Sequence, residues 1–178
     1  MRIPAIVGLA TVGLVLGGCA GTSITPAMIQ SAEHSYPVAV VGEVSVNDAL
    51  WQNYGIEVQR ALSSKLMEAM TFGQVVGDGT SPALANTVLI TGKVTEVDKG
   101  NLAARWIIGF GAGSAHLSAD FQLAKPDGTM IGKFTVRKTY AGGAGIGGAS
   151  LLDMDDLATQ AGEESAKVIA NWAKTGKL

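Results

Sequence analysis

Apolar and polar positions first alternate cleanly near residue 40. Val38, Val40, Gly42, Val44 and Val46 interleave with Ala39, Val41, Glu43 and Ser45, the period-two pattern of a strand with one apolar face. Asn47 or Asp48 then offers a helix N-cap. From Trp51 the period changes. Trp51, Tyr54, Val58, Leu62, Leu66 and Ala69 recur every three or four positions, which places them on one helical stripe. Gly73 marks the stop. Gln74 to Val76 predicts a short strand, a loop runs through Pro82, and Val88, Leu89, Ile90 and Val94 predict a second clear strand.

Ser114 to Lys125 carries the cleanest alternation. Ala115, Leu117, Ala119, Phe121 and Leu123 point one way, and Ser114, His116, Ser118, Asp120 and Gln122 the other. Pro126-Asp127-Gly128 is a turn signal, and Met130 to Tyr140 returns as the hairpin partner. A last helix opens at Ser150, with Asp153 three residues on in the manner of a capping box. Met154, Leu157, Ala161, Val168 and Trp172 form its buried stripe, and Gly176 its end. The order strand, helix, three or four strands, helix predicts an α+β fold. A single domain with a largely antiparallel sheet and helices packed on one face satisfies it.

The N-terminal pattern is of another kind. Met1-Arg2 supplies a positive start to an apolar run from Ile3 to Leu16, interrupted by Pro4, Gly8 and Gly13. The run is shorter than the roughly 20 residues of a spanning helix and ends in small residues, so residues 1–18 read as a signal peptide. Leu16-Gly17-Gly18-Cys19 resembles the bacterial lipobox. That resemblance implies a diacylglyceryl thioether on Cys19, cleavage before it and acylation of the new amine. Cys19 is the only cysteine, so no disulfide forms within the chain. Each buried methylene contributes about 0.8 kcal/mol, and two or three chains make a lasting membrane anchor. Ala20 and Gly21 follow without the aspartate that resembles an inner-membrane retention signal. The expected location is the outer membrane of a Gram-negative cell, facing the periplasm or the cell surface. Residues 19–36 are polar, small and aperiodic up to Pro37 and read as a flexible tether reaching about 20–25 Å. The domain is then expected over 37–178.

Composition narrows the function classes. The chain has 178 residues, 16% of them charged, and a net charge of −2, which offers neither a nucleic-acid surface nor an acidic tail. With 24 glycines it is glycine-rich, yet its 47% hydrophobic content is too apolar for a disordered chain.

Three constellations invite chemistry and fail on context. Gly143-x-Gly145-x-x-Gly148 has the spacing of a dinucleotide-binding turn, but the helix after it is the last element, and the fingerprint needs a further parallel strand with an acidic residue at its end. These glycines are expected to join the final strand to the final helix, with no nucleotide bound. His116, Ser118 and Asp120 share one face of one strand. Side chains two apart on a strand are separated by about 6.8 Å and four apart by about 13 Å, too far for a hydrogen-bonded triad. Two distant histidines and an acylated cysteine give no metal cluster, and Asp153, Asp155 and Asp156 suit the first turn of a helix. The expectation is a protein that is not an enzyme and holds no cofactor or metal.

One stretch is unexplained by packing. Arg105-Trp106-Ile107-Ile108-Gly109-Phe110-Gly111-Ala112-Gly113 stands between two strands where a short polar turn would serve. With Gly92-Lys93-Val94 before it and the glycine-rich segment after the hairpin, it resembles the domain-of-unknown-function 4410 family of small lipoproteins and secreted proteins. That resemblance covers roughly Pro37 to Trp172 and implies no assigned activity. The element order is also faintly similar to lipoprotein domains of the curli secretion pore and of cell-wall synthase activators. The expected function is a lipid-anchored binding or assembly module of the envelope, with Arg105, Trp106 and Phe110 contacting an envelope protein. The alternative is a subunit of an oligomeric outer-membrane pore or secretion assembly, in which Arg105 to Leu123 supplies a membrane hairpin. Changing Cys19 to Ser is expected to move the protein from the membrane to the soluble fraction, and unchanged fractionation would refute the lipid anchor.

Overall fold

The computed structural model describes residues 20–29, 35–77, 86–100, 114–140 and 154–177. Along the chain lie β1 (Ala20–Ile29), β2 (Val38–Val46), a 3-10 turn (Ala49–Trp51), α1 (Gln52–Ala69), β3 (Gln74–Gly77), β4 (Thr87–Asp98), β5 (Ala115–Ala124), β6 (Met130–Tyr140) and α2 (Met154–Thr175). The strands form one six-stranded sheet in the order β1-β6-β5-β4-β2-β3. Neighbours from β1 to β4 pair antiparallel, whereas β2 runs parallel to both β4 and β3. The parallel pairs follow from α1, a crossover that carries the chain back to the end where β2 began. Both helices pack on the same face, α1 over β2, β3 and β4, and α2 over β5 and β6. This is the α+β layer that the order of patterns predicts.

The alternation of β5 sets the core. Leu117, Ala119, Phe121 and Leu123 are fully buried, as are Ile90 and Val94 of β4 and Val136 of β6. They join Val58, Leu62 and Leu66 of α1 and Leu157, Ala161, Ile169 and Trp172 of α2 in one cluster. Each leucine-sized side chain so buried contributes about 1.5–3 kcal/mol relative to exposure. Phe121 and Phe134 stack across the β5–β6 hairpin with centroids 5.3 Å apart. At the hairpin tip the Gly128 N–H donates to Lys125 O at 2.9 Å and the Thr129 N–H to Asp127 Oδ1 at 2.8 Å. Gly128 takes a left-handed φ of 86°, which glycine adopts without a Cβ clash.

Four local expectations change. Within the expected tether, residues 20–29 form β1, which pairs with β6 from Ala20 opposite Tyr140 to Ile29 opposite Gly132. The free edge of β6 supplies the backbone partners. A strand there, exposed along residues 21–27, needs no apolar periodicity. Tyr36, also assigned to the tether, is 6% exposed and stacks on Trp172 with centroids 5.8 Å apart. In β2 a register shift between Val41 and Val44 switches phase, as a bulge does. Ala39 and Val41 face the core before it and Val44 after it, so the expected phase holds after the shift and is reversed before it. Finally, α1 ends at Ala69, ahead of Gly73. Its C-cap is Met70 at φ 46° and ψ 31°, with its N–H donating to Met67 O at 3.2 Å. A left-handed backbone costs a non-glycine residue about 1–2 kcal/mol, and Met70 is the one non-glycine residue with positive φ among the described residues.

At the other helix ends, Asp48 accepts the Leu50 N–H at 2.9 Å and caps the 3-10 turn, while the Gly176 N–H donates to Trp172 O at 2.7 Å. The expected cap at Ser150 and Asp153 lies outside the described residues.

The helices meet at Gly162. A Cβ placed there would lie 2.5 Å from Val58 O and 2.8 Å from the Ala61 Cβ, so the two backbones approach as closely as only glycine permits. Replacing glycine by alanine within a helix otherwise gains about 0.5–1 kcal/mol, so the sign of the change reports this contact. Gly162→Ala is expected to destabilise the fold by about 1–3 kcal/mol, as overpacking does, read as a lower urea midpoint. A raised midpoint would mean that the seam yields freely.

Candidate functional site

The face of the sheet turned away from the helices carries a row of charges. Register puts Glu96 of β4 opposite Ser118 of β5, and Ser118 opposite Arg137 of β6. Strands lie about 4.8 Å apart, so the two outer residues are two spacings from each other. A small serine between them lets the long side chains meet, with Arg137 Nη1 2.8 Å from Glu96 Oε2. The Ser118 hydroxyl donates to the same oxygen at 3.4 Å. His116, opposite Asp98, lies with Nε2 2.9 Å from Glu96 Oε1 and Nδ1 4.0 Å from Asp98 Oδ2. The Nε2 approach is short but lacks hydrogen-bond direction. Asp98 also accepts the Gly100 N–H at 2.7 Å, and the Thr135 hydroxyl donates to Asp120 at 2.6 Å.

These groups answer one another across strands. Glu96 is held below its ordinary value of 4.5 chiefly by the His116 ring; partial burial opposes this, and Arg137 and Ser118 assist. His116, Ser118 and Asp120, which share a face in sequence, take different principal partners: Asp120 bonds Thr135, while His116 and Ser118 converge on Glu96. Glu96 and Arg137, 41 positions apart, were invisible to a local reading, and only the strand register brings them together. Among the described residues no group of three or more His, Cys, Asp or Glu is arranged to hold a metal ion.

Between the helices Lys65, Glu68 and Ala69 of α1 and Ala166, Lys167, Ala170, Asn171 and Lys174 of α2 line an open groove. Lys65 pairs with Glu68 at 2.7 Å and Lys167 with Glu164 at 2.9 Å, so these cations are engaged along their own helices.

A second surface feature is apolar. Leu50, Ile56, Met67 and Met70, all in or beside α1, and Ile24 of β1 are the large apolar side chains exposed among the described residues. Cys19, Arg105, Trp106 and Phe110 lie outside the described residues, as do Gly143, Gly145 and Gly148. Asp155 and Asp156 stand in the first turn of α2 as expected. The proposed membrane hairpin is corrected for its second half. Ala115, Leu117, Ala119, Phe121 and Leu123 turn their apolar sides to the core, and β5 is paired on both edges. Among the described residues no helix is long and apolar enough to cross a membrane.

A family profile described as Domain of unknown function (DUF4410) matches residues 21–144. Its start at residue 21 agrees with β1 being part of the fold. Two crystal structures of the PelC dodecamer from Paraburkholderia phytofirmans, one of a point variant, are similar at a TM-score of 0.55 and 14% identity. The similarity covers 84% of this chain and 97% of that one. At such identity it carries the fold alone. No curated protein matches the chain.

The charge row makes a pH prediction. A carboxyl whose folded pKa is depressed contributes stability above its unfolded value of about 4.5, and loses it as pH falls through the lower folded value. With its side chain 49% exposed, Glu96 is screened, and Glu96→Gln is expected to cost on the order of 0.5–1 kcal/mol at neutral pH. In urea titrations that difference should close as pH falls below the unfolded value and through the depressed folded one; a difference independent of pH would show that Glu96 acts through packing.

Proposed function

The chain belongs to the DUF4410 family of domains of unknown function, and from that premise we propose that it is a non-enzymatic envelope lipoprotein whose working form is an oligomer of this fold. The observation that carries the reading is the likeness over 97% of a chain crystallised as a dodecamer. Oligomer formation is a property of that protein and comes to this one as a proposal. Two features of this chain agree with it. Among the described residues the sheet has two free edges, β1 and β3, and most of the exposed large apolar side chains cluster beside one helix.

The anchor at Cys19 belongs to the same proposal. β1 begins at Ala20, so an acylated Cys19 adjoins the edge strand with no tether between them. Ala20 is opposite Tyr140, Tyr140 opposite Ala115, and His116 opposite Asp98. The strand ends that flank residues 101–113 therefore lie at the anchored end of the sheet. Arg105, Trp106 and Phe110 are proposed as contacts to an envelope protein from that end, in the outer membrane of a Gram-negative cell. No cofactor, metal, nucleotide or nucleic acid enters the proposal.

The test is the mass of the acylated protein in mild detergent, by light scattering on a sizing column, with negative-stain images of the peak. A ring of many copies is the expected result. A monomer would overturn it, and a monomer in stoichiometric complex with another envelope protein would establish the tethered binding module instead.

A further inference from the structure

The oligomer reading leaves open which surfaces meet, and α1 points to one of them. Its sheet side carries Val58, Leu62 and Leu66, all buried. Its α2 side carries Ala61, beside Gly162, and Glu57, whose carboxylate accepts the Thr159 hydroxyl at 2.5 Å. The remaining flank lies away from α2. Because α2 covers β5 and β6 while α1 covers β4, β2 and β3, that flank lies on the β3 side of the molecule. Ile56 and Met67, separated by about three helical turns, share it and are 56% and 54% exposed. Met70 continues it from the C-cap at 85% exposed.

Met70 combines two unfavourable features. Its backbone is left-handed, at a position where glycine or asparagine is usual, and its side chain is in water. The Met70 N–H bonds Met67 O at this cap, and no described residue covers the side chain, which is 85% exposed. Strained residues that persist at a surface point to function, and methionine's flexible thioether suits protein contacts.

The opposite flank of the sheet is the β1 edge. Ala20–Ile29 contains no charged residue, whereas free edges are usually blunted by charge or covered. Ile24, opposite Val136 and so on the helix side of the sheet, is 41% exposed. Pro26 and the adjoining register shift break the edge beyond it, which leaves residues 21–25 as its regular part. Among the described residues one chain thus carries two flanks with exposed apolar side chains on opposite sides, the β1 edge without charge and the α1 flank beside Arg60, which is paired with Glu57 of its own helix. Different patches meeting head to tail generate rings when the rotation closes, and a second copy supplies the complement of each.

We infer that the Ile56, Met67 and Met70 flank of α1 packs on the β1 edge of the next copy, with Ile24 at the contact. The inference rests on the oligomer reading. Its experiment compares Met70→Gly, Met67→Lys, Ile24→Glu and the Met67→Lys/Ile24→Glu double variant with the acylated wild-type chain. Oligomer mass is read by light scattering, and stability of the dissociated chain by its urea midpoint. Met70→Gly is expected to raise the midpoint, because strain is relieved, and to weaken assembly about tenfold or more, as loss of an interface anchor does. Met67→Lys and Ile24→Glu should each yield folded monomers, and the double variant should restore assembly through the new charge pair. A wild-type monomer would overturn the oligomer reading and the inference together. A wild-type oligomer whose mass survives the single variants would overturn the inference alone. So would a lowered midpoint in Met70→Gly, or singles that dissociate without rescue in the double.

Discussion

A six-stranded sheet that, among the described residues, helices cover on one face only is the constraint from which the other features follow. Two helices must shield the apolar sides of β4, β5 and β6, and they do so by meeting closely around Gly162, Val58 and Ala61. Gly162 makes that approach possible, since any side chain there would strike the backbone at Val58 and Leu62. The seam keeps Leu117, Ala119, Phe121 and Leu123 dry, and through them holds β5 at the middle of the sheet. Tyr36 and Trp172 close one margin of this layer by stacking, which ties the chain ahead of β2 to the last helix.

The uncovered face and the uncovered edges meet the same constraint differently. On the face, Glu96 bonds Arg137 and Ser118 across three strands with His116 close by, so charge tolerates solvent and laces the sheet at once. At the edges the described residues show no such compensation. β1 lacks charge, α1 overhangs the other margin with Ile56 and Met67, and Met70 is held in a strained cap with its side chain in water. These are the features that a single copy leaves unbalanced.

Elements with strong local periods were legible. The alternation of Ala115 to Leu123, the stripe from Val58 to Leu66 and the Pro126-Asp127-Gly128 turn each encode their element within a few residues, because burial on one side imposes its period directly. β1 was not legible, since an edge strand exposed on both sides is held by backbone hydrogen bonds to β6 and leaves no trace in side-chain hydrophobicity. The β2 phase switch escaped for a related reason: inserting one residue shifts the face of all that follow, and a run of valines looks alike in either phase. Of the candidate surfaces, neither the partners of Glu96 nor the left-handed Met70 carried a local signal.

By itself the sequence determined the α+β class, the one-sided sheet, the two helices and the lipobox-like segment ending at Cys19, because each depends on neighbours along the chain. Tertiary structure alone decided the strand order, the place of residues 20–29 at the edge, the charge row from Glu96 to Arg137 and which apolar side chains stay in water. Those depend on register and on what covers each surface, and contacts between residues as far apart as Thr22 and Lys138 leave no periodicity from which to read them.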